Sequence, residues 1–402
     1  MKPSGRESLA GTGILLSLVA SGQARSRADL MALSGLSRNT IVSRLKALLD
    51  AGLLREAEET MRSGGRPTRM LAIGADFGVI LAADIGETSV RLAVTDLTPA
   101  VIVDEMFDVE LAAGPEVVLS AIAERFANLL TRCGRSPGEA IGIGLSLPAP
   151  VDYTSGRVFG PSIMTNWDDF DIRTWLEQRL GVPVLAENDV NLLTLYEWRT
   201  FWQDFGHLFF IKFASGIGSG IISDGRIYRG AQGAAGDIGH IQLASEPRPL
   251  CRCGKFGCVE ARSAGWALAR DLRAQGFAVR GSRDVVRLVR DGHGAALEAA
   301  RKAGQVLGEV TADVVSVLNP GVIVIGGTLS ALGTPLFDEV DHVVRERVLP
   351  LAKRDLRIEP ARSGSDAGLL GAALLVKEVR LSAADVEATI ARFAARACPD
   401  CV

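Results

Sequence analysis

The sequence predicts an α/β protein of two lobes that face a cleft, preceded by a small helical head. Strand-forming and helix-forming segments alternate after residue 75, and glycines follow several of the strands. Three short helical patterns come before them, in a segment with a net positive charge. A chain of 402 residues is also longer than one hydrophobic core usually serves, so we expect two or three domains.

The charge is distributed unevenly along the chain. Residues 1–75 contain eleven Lys or Arg and six Asp or Glu, a balance of +5, whereas the whole chain carries −3. The remainder therefore carries −8, and we expect a polyanion to bind the head alone.

Three helices are predicted in the head. Residues 7–21 form an amphipathic pattern, and Ser26 opens a second helix, with Asp29 completing a capping box. Ser37 opens the third helix, which reads SRNTIVSRLKALLD, and Gly52 ends it. The order of a helix, a tight turn and a second helix is that of a helix-turn-helix.

The third helix has an apolar face, which includes Ile41 and Leu45, and a polar face near its N-terminal half. Reading a major groove requires polar side chains at that position, since Asn and Arg bond base edges and Ser or Thr hold phosphates. We therefore predict that operator DNA is bound by Ser37, Arg38, Asn39, Thr40, Ser43, Arg44 and Lys46.

A charged hairpin tip is followed by the sequence Arg62-Ser63-Gly64-Gly65-Arg66-Pro67. The two glycines predict a slim wing that lays Arg66 in a minor groove. Residues 1–75 are thus predicted to form a winged helix-turn-helix. The alternative is a small dimerisation module with solvated arginines, but the helix order, the wing and the positive charge together favour DNA binding.

A histidine and three cysteines form a compact set in the second half, at His240, Cys251, Cys253 and Cys258. Their number and softness suit a tetrahedral structural Zn²⁺, and two glycines between the cysteines let the loop fold back. Free buried thiols are the alternative, although this loop holds three of the chain's six cysteines. We interpret the C-x-x-C at residues 398–401 as incidental, with a redox or metal role as the alternative.

Neither a membrane nor an oxidising compartment is indicated by the sequence. No apolar run is as long as a membrane span, and zinc thiolates suit a reducing environment. We expect a cytoplasmic protein without a membrane partner.

Strands and helices alternate in the body. We predict strands at Val79–Asp84, Val90–Asp96, Ala140–Leu145, Val182–Ala186, Leu208–Ala214 and Val322–Ile325, helices over 117–130 and 295–318, and a glycine-rich turn at Ser215–Gly220.

These motifs resemble the ROK family, which contains sugar-responsive repressors and sugar kinases. The resemblance spans nearly the whole chain, its most specific part is the zinc pattern, and the head is similar to that of the repressor branch. It implies a two-lobed actin-like, sugar kinase-like fold. An N-terminal lobe over 76–188 and a C-terminal lobe over 189–402 are expected, with the last helix packing back on the first lobe.

The resemblance also implies a sugar pocket. Asp189 matches the catalytic base that takes a proton from a sugar hydroxyl, and the alternative for Asp189 is a helix N-cap. Carboxylates and amides suit a pocket for hydroxyl-rich ligands. The other matching residues are Gly156, Arg157, Asn188, Asp237, His240 and Glu260. His240 is expected to serve zinc through one ring nitrogen and the sugar through the other. Asp237 stands where relatives usually carry Glu, which leaves the identity of the sugar open.

Three phosphate loops depart from those of the family's kinases. The first reads Asp84-Ile85-Gly86-Glu87-Thr88 where kinases read Asp-x-Gly-Gly-Thr, and Glu87 would repel ATP by on the order of several kcal/mol. Ala214-Ser215 replaces Gly-Thr, and Gly327-Thr328 replaces a run of glycines. We therefore expect neither ATP nor Mg²⁺ as an efficient cofactor, although Asp84 and Thr88 are retained.

The sequence thus predicts a sugar-responsive transcriptional regulator, more specifically a repressor, and not an enzyme. It would bind a palindromic operator as a homodimer or homotetramer, with a sugar or sugar phosphate as effector. The alternatives are an ATP-dependent sugar kinase with a DNA-binding appendage and a bifunctional protein with both activities.

Overall fold

The computed structural model describes residues 11–61, 68–74, 77–160 and 164–394. Its head contains three helices and an antiparallel hairpin. These elements are α1 (Gly13–Ala20), α2 (Arg27–Leu33), α3 (Arg38–Asp50), β1 (Leu54–Met61) and β2 (Thr68–Ile73). The prediction that the first helix spans residues 7–21 was wrong at its start, because Gly11 lies in a turn with φ +71° and the helix begins at Gly13. The predicted wing tip, with Arg66, lies outside the described residues, as do Cys398 and Cys401.

Local capping sets the starts of α2 and α3 as the sequence predicts. The Ser26 hydroxyl accepts a hydrogen bond from the Asp29 amide at 3.1 Å, and the Asp29 carboxylate accepts one from the Ser26 amide at 2.8 Å. Ser37 caps α3 by accepting from the Thr40 amide at 3.3 Å. The capping box and the start of the third helix are therefore confirmed.

The first sheet of the body has five strands in the order β5-β4-β3-β6-β9, with β3, β6 and β9 parallel. The strands are β3 (Val79–Ile85), β4 (Ser89–Thr95), β5 (Val101–Asp108), β6 (Ala140–Leu147) and β9 (Val184–Asn188). Helices α4 (Pro115–Arg132) and α5 (Ile172–Leu180) accompany it, and β7 (Val151–Asp152) pairs with β8 (Arg157–Val158) in a small hairpin. Buried side chains of α4, such as Phe126, complete an apolar core with the sheet.

The second sheet repeats this arrangement in the order β12-β11-β10-β13-β14, with β10, β13 and β14 parallel. The strands are β10 (Leu208–Phe213), β11 (Ile217–Ser223), β12 (Arg226–Ile227), β13 (Val322–Gly326) and β14 (Arg357–Pro360). The helices are α6 (Asp189–Phe201), α7 (Val259–Ser263), α8 (Gly265–Ala274), α9 (Ser282–Arg290), α10 (Gly294–Leu318), α11 (Thr334–Arg347) and α12 (Pro350–Lys353).

The predicted strands and helices of the body agree with these elements to within two residues at each end. The extent of the glycine-rich turn was wrong, because the turn closes by Gly216 and the next residues belong to β11. Helix α6 packs directly on β11, where a Cβ at Gly220 would overlap the Thr194 hydroxyl. The glycines of this segment therefore serve close packing rather than a longer turn.

The last two helices connect the first sheet with the head. Helix α13 (Ala367–Arg380) packs against β3, β6 and α6. Helix α14 (Val386–Ala394) then contacts α1: the Gly13 amide donates to the Glu387 carboxylate at 2.8 Å, and Val386 lies beside Gly13. Just after the head, Phe77 packs against Phe393 of α14 with ring centroids 4.4 Å apart. The head is thus held by the C-terminal end of the described chain.

Among the described residues, no helix is both long and apolar enough to cross a membrane.

Replacing Val386 with Ala should loosen the head from α14. Val386 is fully buried beside Gly13, so the truncation should weaken the contact between α14 and the head by about 2 kcal/mol. Hydrogen exchange of the α1 amides should become faster than in wild type. Ala388→Ser, an exposed change in the same helix, is the control, and unchanged α1 exchange in Val386→Ala would contradict this role of α14.

Candidate functional site

One histidine and three cysteines converge beside the second sheet. The ligand atoms of His240, Cys251, Cys253 and Cys258 all lie within 4.8 Å of one another. The His240 Nδ1 is 3.8 Å from the Cys251 sulfur, and the sulfurs of Cys253 and Cys258 are 3.7 Å apart. Three sulfurs and one imidazole nitrogen fit a tetrahedral metal ion, so this cluster could hold one.

The backbone of the cysteine loop is shaped for this convergence. Gly254 and Gly257 have φ angles of +84° and +78°, in the left-handed region that glycine tolerates. The Cys251 amide donates to the Lys255 carbonyl at 2.8 Å, which closes the loop on itself. In this compact loop, burial raises the pKa of the Cys258 thiol to about 12, so a bound metal would have to displace its proton.

The loop also fixes Glu260 against the second sheet. One Glu260 carboxylate oxygen accepts from the Ile217 amide at 3.2 Å, and the other accepts from the Trp266 indole at 3.2 Å. The segment that carries Asp237 and His240 passes over the same end of β11, since a Cβ at Gly239 would overlap the Ile217 carbonyl. The structure therefore brings these three predicted pocket residues to one end of β11, with Asp237 exposed.

Asn188 and Asp189 form the junction between β9 and α6. The Asn188 side-chain oxygen accepts from the Val190 and Asn191 amides at 3.0 and 3.3 Å, and its amide donates to the Ala149 carbonyl at 2.9 Å. The N-cap is therefore Asn188, and the alternative interpretation of Asp189 as the cap was wrong.

Asp189 instead forms an ion pair with Lys212 of β10. Burial acts to lower the pKa of Lys212, but Asp189 and Asp84 raise it above its ordinary value overall, which keeps the ammonium charged. Asp84, at the end of β3, accepts from the Ser146 hydroxyl at 2.6 Å, and burial raises the pKa of its carboxyl. Sequence reasoning missed Lys212, although a lysine within the apolar run LFFIKF is itself a signal.

A buried charge pair lies beside this junction. The Glu187 side chain is 1% exposed and accepts from Arg229 Nε and from the Asn191 amide group at 2.6 and 2.9 Å. The Arg229 guanidinium also stacks 3.9 Å from the centre of the Tyr153 ring. Tyr153 belongs to the loop between β7 and β8, which also contains Gly156, so Arg229 ties this loop to the β9–α6 junction.

Arg157 is bound by acidic neighbours. Its guanidinium donates to the Asp169 carboxylate at 2.6 Å and lies 3.5 Å from that of Asp171. A sugar contact by Arg157 would compete with these partners, so its predicted role in the pocket has the weakest geometric support.

The three segments that the resemblance predicts as altered phosphate loops follow β3, β10 and β13. Glu87 is exposed in the turn between β3 and β4. The Ala214 and Ser215 carbonyls accept from the backbone amides of Gly265 and Trp266 at 2.8 and 3.2 Å, which packs this turn against the start of α8.

The polar face of α3 is largely free of protein contacts that would cover it. Arg38, Asn39, Ser43 and Lys46 are exposed, whereas Ser37 and Thr40 bond each other through their hydroxyls at 2.8 Å. Arg44 lies against Gly11 instead. Val42, which sequence reasoning missed, is 54% exposed between these polar residues.

Comparison with known proteins identifies the family. The sequence pattern of the ROK family matches residues 80–379. This chain belongs to the ROK family. The xylose repressor of Bacillus spizizenii is 27% identical over 367 residues, which cover 91% of this chain and 94% of the repressor. The glucokinase of Halalkalibacterium halodurans is 27% identical over 314 residues, which cover 74% of this chain and 94% of the kinase.

The ROK fold extends through the head. The crystal structure of a ROK family transcriptional regulator, a homolog of the Escherichia coli MLC protein, has a TM-score of 0.81 and is 24% identical, covering 97% of this chain and 99% of that one. The predicted fold, a winged helix-turn-helix joined to a two-lobed sugar kinase-like body, is confirmed.

Asn188 offers a direct test of the β9–α6 junction. Asn188→Ala removes the cap of α6 and leaves the Ala149 carbonyl without its donor, so unfolding should become easier by about 1–2 kcal/mol. Asn188→Asp keeps an oxygen for the cap and should lose less stability than Asn188→Ala. Thermal unfolding of both variants would measure the difference, and equal midpoints for wild type and Asn188→Ala would contradict the capping role.

Proposed function

We propose that this ROK protein is a sugar-responsive transcriptional repressor, whose head binds operator DNA and whose body binds a sugar or sugar phosphate. The observation that carries the proposal is the uncovered polar face of α3 on a head that is docked to the body. The extent of similarity agrees, since the xylose repressor matches 91% of the chain and the glucokinase 74%.

In this proposal the N-terminal half of α3 lies in the major groove. Asn39 and Arg38 have the donors and acceptors to bond base edges, Lys46 and Ser43 suit phosphates, and the exposed Val42 suits a thymine methyl group. Two such heads in a homodimer or homotetramer would read two half-sites about 34 Å apart. This function places the protein in the compartment that contains the DNA, the cytoplasm.

The sugar would bind where the junction of β9 and α6 approaches β10 and β11. We propose Gly156, Arg157, Asn188, Asp189, Asp237, His240 and Glu260 as its contacts. Asp189 opens α6, α6 packs on α13, and α13 leads into α14, which contacts the head. A sugar can change operator affinity through these helices only if it binds the two arrangements of the head unequally.

We further propose that the cluster of His240 and the three cysteines holds a structural Zn²⁺. When bound, the ion would join the loop to the His240 segment and so fix Glu260, which is two residues after Cys258, beside the pocket.

An ATP-dependent sugar kinase is the second candidate function, and the body's similarity to a glucokinase favours it. The exposed Glu87 in the first phosphate loop counts against efficient ATP use. Sugars incubated with Mg-ATP decide between the two, because turnover at ordinary enzyme rates would favour the kinase.

The DNA interface predicts two different responses in binding assays. Asn39→Ala should relax the preference for the chain's own upstream DNA at one base position, at a cost of about 1–3 kcal/mol. Lys46→Ala should weaken binding to all DNA sequences equally. It should also reduce the slope of log affinity against log salt concentration by about one. Arg345→Ala, a basic change on α11 of the body, is the control.

Fluorescence anisotropy over a salt series distinguishes these outcomes, and a sugar and sugar-phosphate panel added to the preformed complex tests the effector. Release of the operator by one sugar is expected. The proposal fails if the wild-type protein prefers its upstream DNA no more than a scrambled duplex.

Removing one cysteine should remove the metal. Cys253→Ser should lower bound zinc from one equivalent per chain toward zero, with a lower unfolding midpoint and weaker sugar binding, because Glu260 loses its support. Elemental analysis and thermal unfolding measure both effects. Cys133→Ser, a cysteine outside the cluster, is the matched control, and full zinc retention in Cys253→Ser would contradict the assignment.

A further inference from the structure

Lys212 is a charged residue in a strand that is otherwise apolar. The side chain is 31% exposed, and its neighbours Ile211 and Phe213 are fully buried. Placing an ammonium there is unfavourable unless opposite charge compensates it. Its location therefore requires acidic partners, and the fold supplies them from two other elements.

Those partners are Asp189 and Asp84. The Lys212 ammonium donates to the Asp189 carboxylate, whose side chain is only 14% exposed. Asp84 makes no ion pair with Lys212 within 4.0 Å, but its negative charge helps to raise the pKa of the Lys212 ammonium. Lys212 thus bonds the acid at the start of α6, and the charge of the acid at the end of β3 also acts on it.

The arrangement resembles a cation site that has been filled from within the chain. Two nearby carboxylates attract a cation, and hard divalent ions prefer carboxylate oxygens. The ammonium already occupies one of the Asp189 oxygens and supplies a positive charge, so a divalent cation entering the same place would be repelled.

The ion pair also affects what Asp189 can do. A carboxylate acts as a general base through an oxygen lone pair that is free to accept a proton. The Lys212 ammonium occupies a lone pair on one of the two Asp189 oxygens. Asp189 can still accept a hydrogen bond from a sugar hydroxyl through its other oxygen, which is binding without proton removal.

We propose that Lys212 is an internal cation that fills the carboxylate pair of Asp84 and Asp189, and thereby makes this cleft a sugar-binding site that excludes a catalytic divalent cation. The inference rests on the proposed sugar-binding function and adds a specificity-determining residue to it. On this proposal, Lys212 in β10 opposes phosphoryl transfer, as does Glu87 in the loop after β3.

Divalent-cation binding tests the proposal without any need for activity. Mn²⁺ is the probe, because the electron paramagnetic resonance signal of the free ion reports how much is bound. In zinc-loaded protein, Lys212→Met should bind Mn²⁺ on the order of ten-fold or more tightly than wild type, since two uncompensated carboxylates remain. Lys212→Arg keeps the positive charge and is the matched control, expected to behave as wild type.

A double variant locates the new site. Asp84→Asn in the Lys212→Met background should abolish the gain in Mn²⁺ affinity. If Lys212→Met does not fold, Lys212→Gln provides a smaller change with a polar end group. Equal Mn²⁺ affinity in wild type and in a folded Lys212 variant would overturn the proposal, as would a gain that survives Asp84→Asn.

Operator binding by wild-type protein is measured separately. If the proposed repressor function is incorrect, the operator-binding assay shows it. If the internal-cation proposal is incorrect, only the Mn²⁺ titration shows it.

Discussion

The close packing of α13 against the first sheet and α6 is the constraint on which the rest of the molecule depends. Gly144 and Gly371 permit it, because a Cβ at either position would overlap the carbonyl oxygen of Ala372 or Leu192 respectively. A Cβ at Gly368 would lie 2.7 Å from the Asp84 carboxylate, so the same helix also covers the acid of the first phosphate loop. A single helix therefore contacts the cleft, supports α6 and leads into α14, which holds the head.

Charge in the cleft is compensated within the protein. Glu187 is paired with Arg229, and Asp189 with Lys212, so each acid at the β9–α6 junction has a basic partner from the second half of the chain. These pairs connect elements of the two sheets by electrostatics as well as by packing. A neutral, hydroxyl-rich ligand can bond the free lone pairs of such acids without disturbing the balance.

The parts of the structure that depend on neighbouring residues could be predicted from the sequence, and those that depend on distant contacts could not. The capping box at Ser26, the start of α3 and the cluster of one histidine and three cysteines all follow from short spacings. The turn after β10 was predicted too long because its glycines allow close packing against α6, a helix elsewhere in the chain. Likewise, nothing local to Lys212 indicates Asp189 as its partner, and the contact between Gly13 and Glu387 spans 374 residues.

The contact between α1 and α14 has a consequence for how such proteins can be recombined. A DNA-binding head that rests on the last helix of its own body is not an independent module, even though it is encoded as a contiguous N-terminal segment. Grafting this head onto another ROK body would separate Gly13 from Val386 and Glu387. A chimera that exchanges DNA specificity must therefore take both ends of the gene from the same parent.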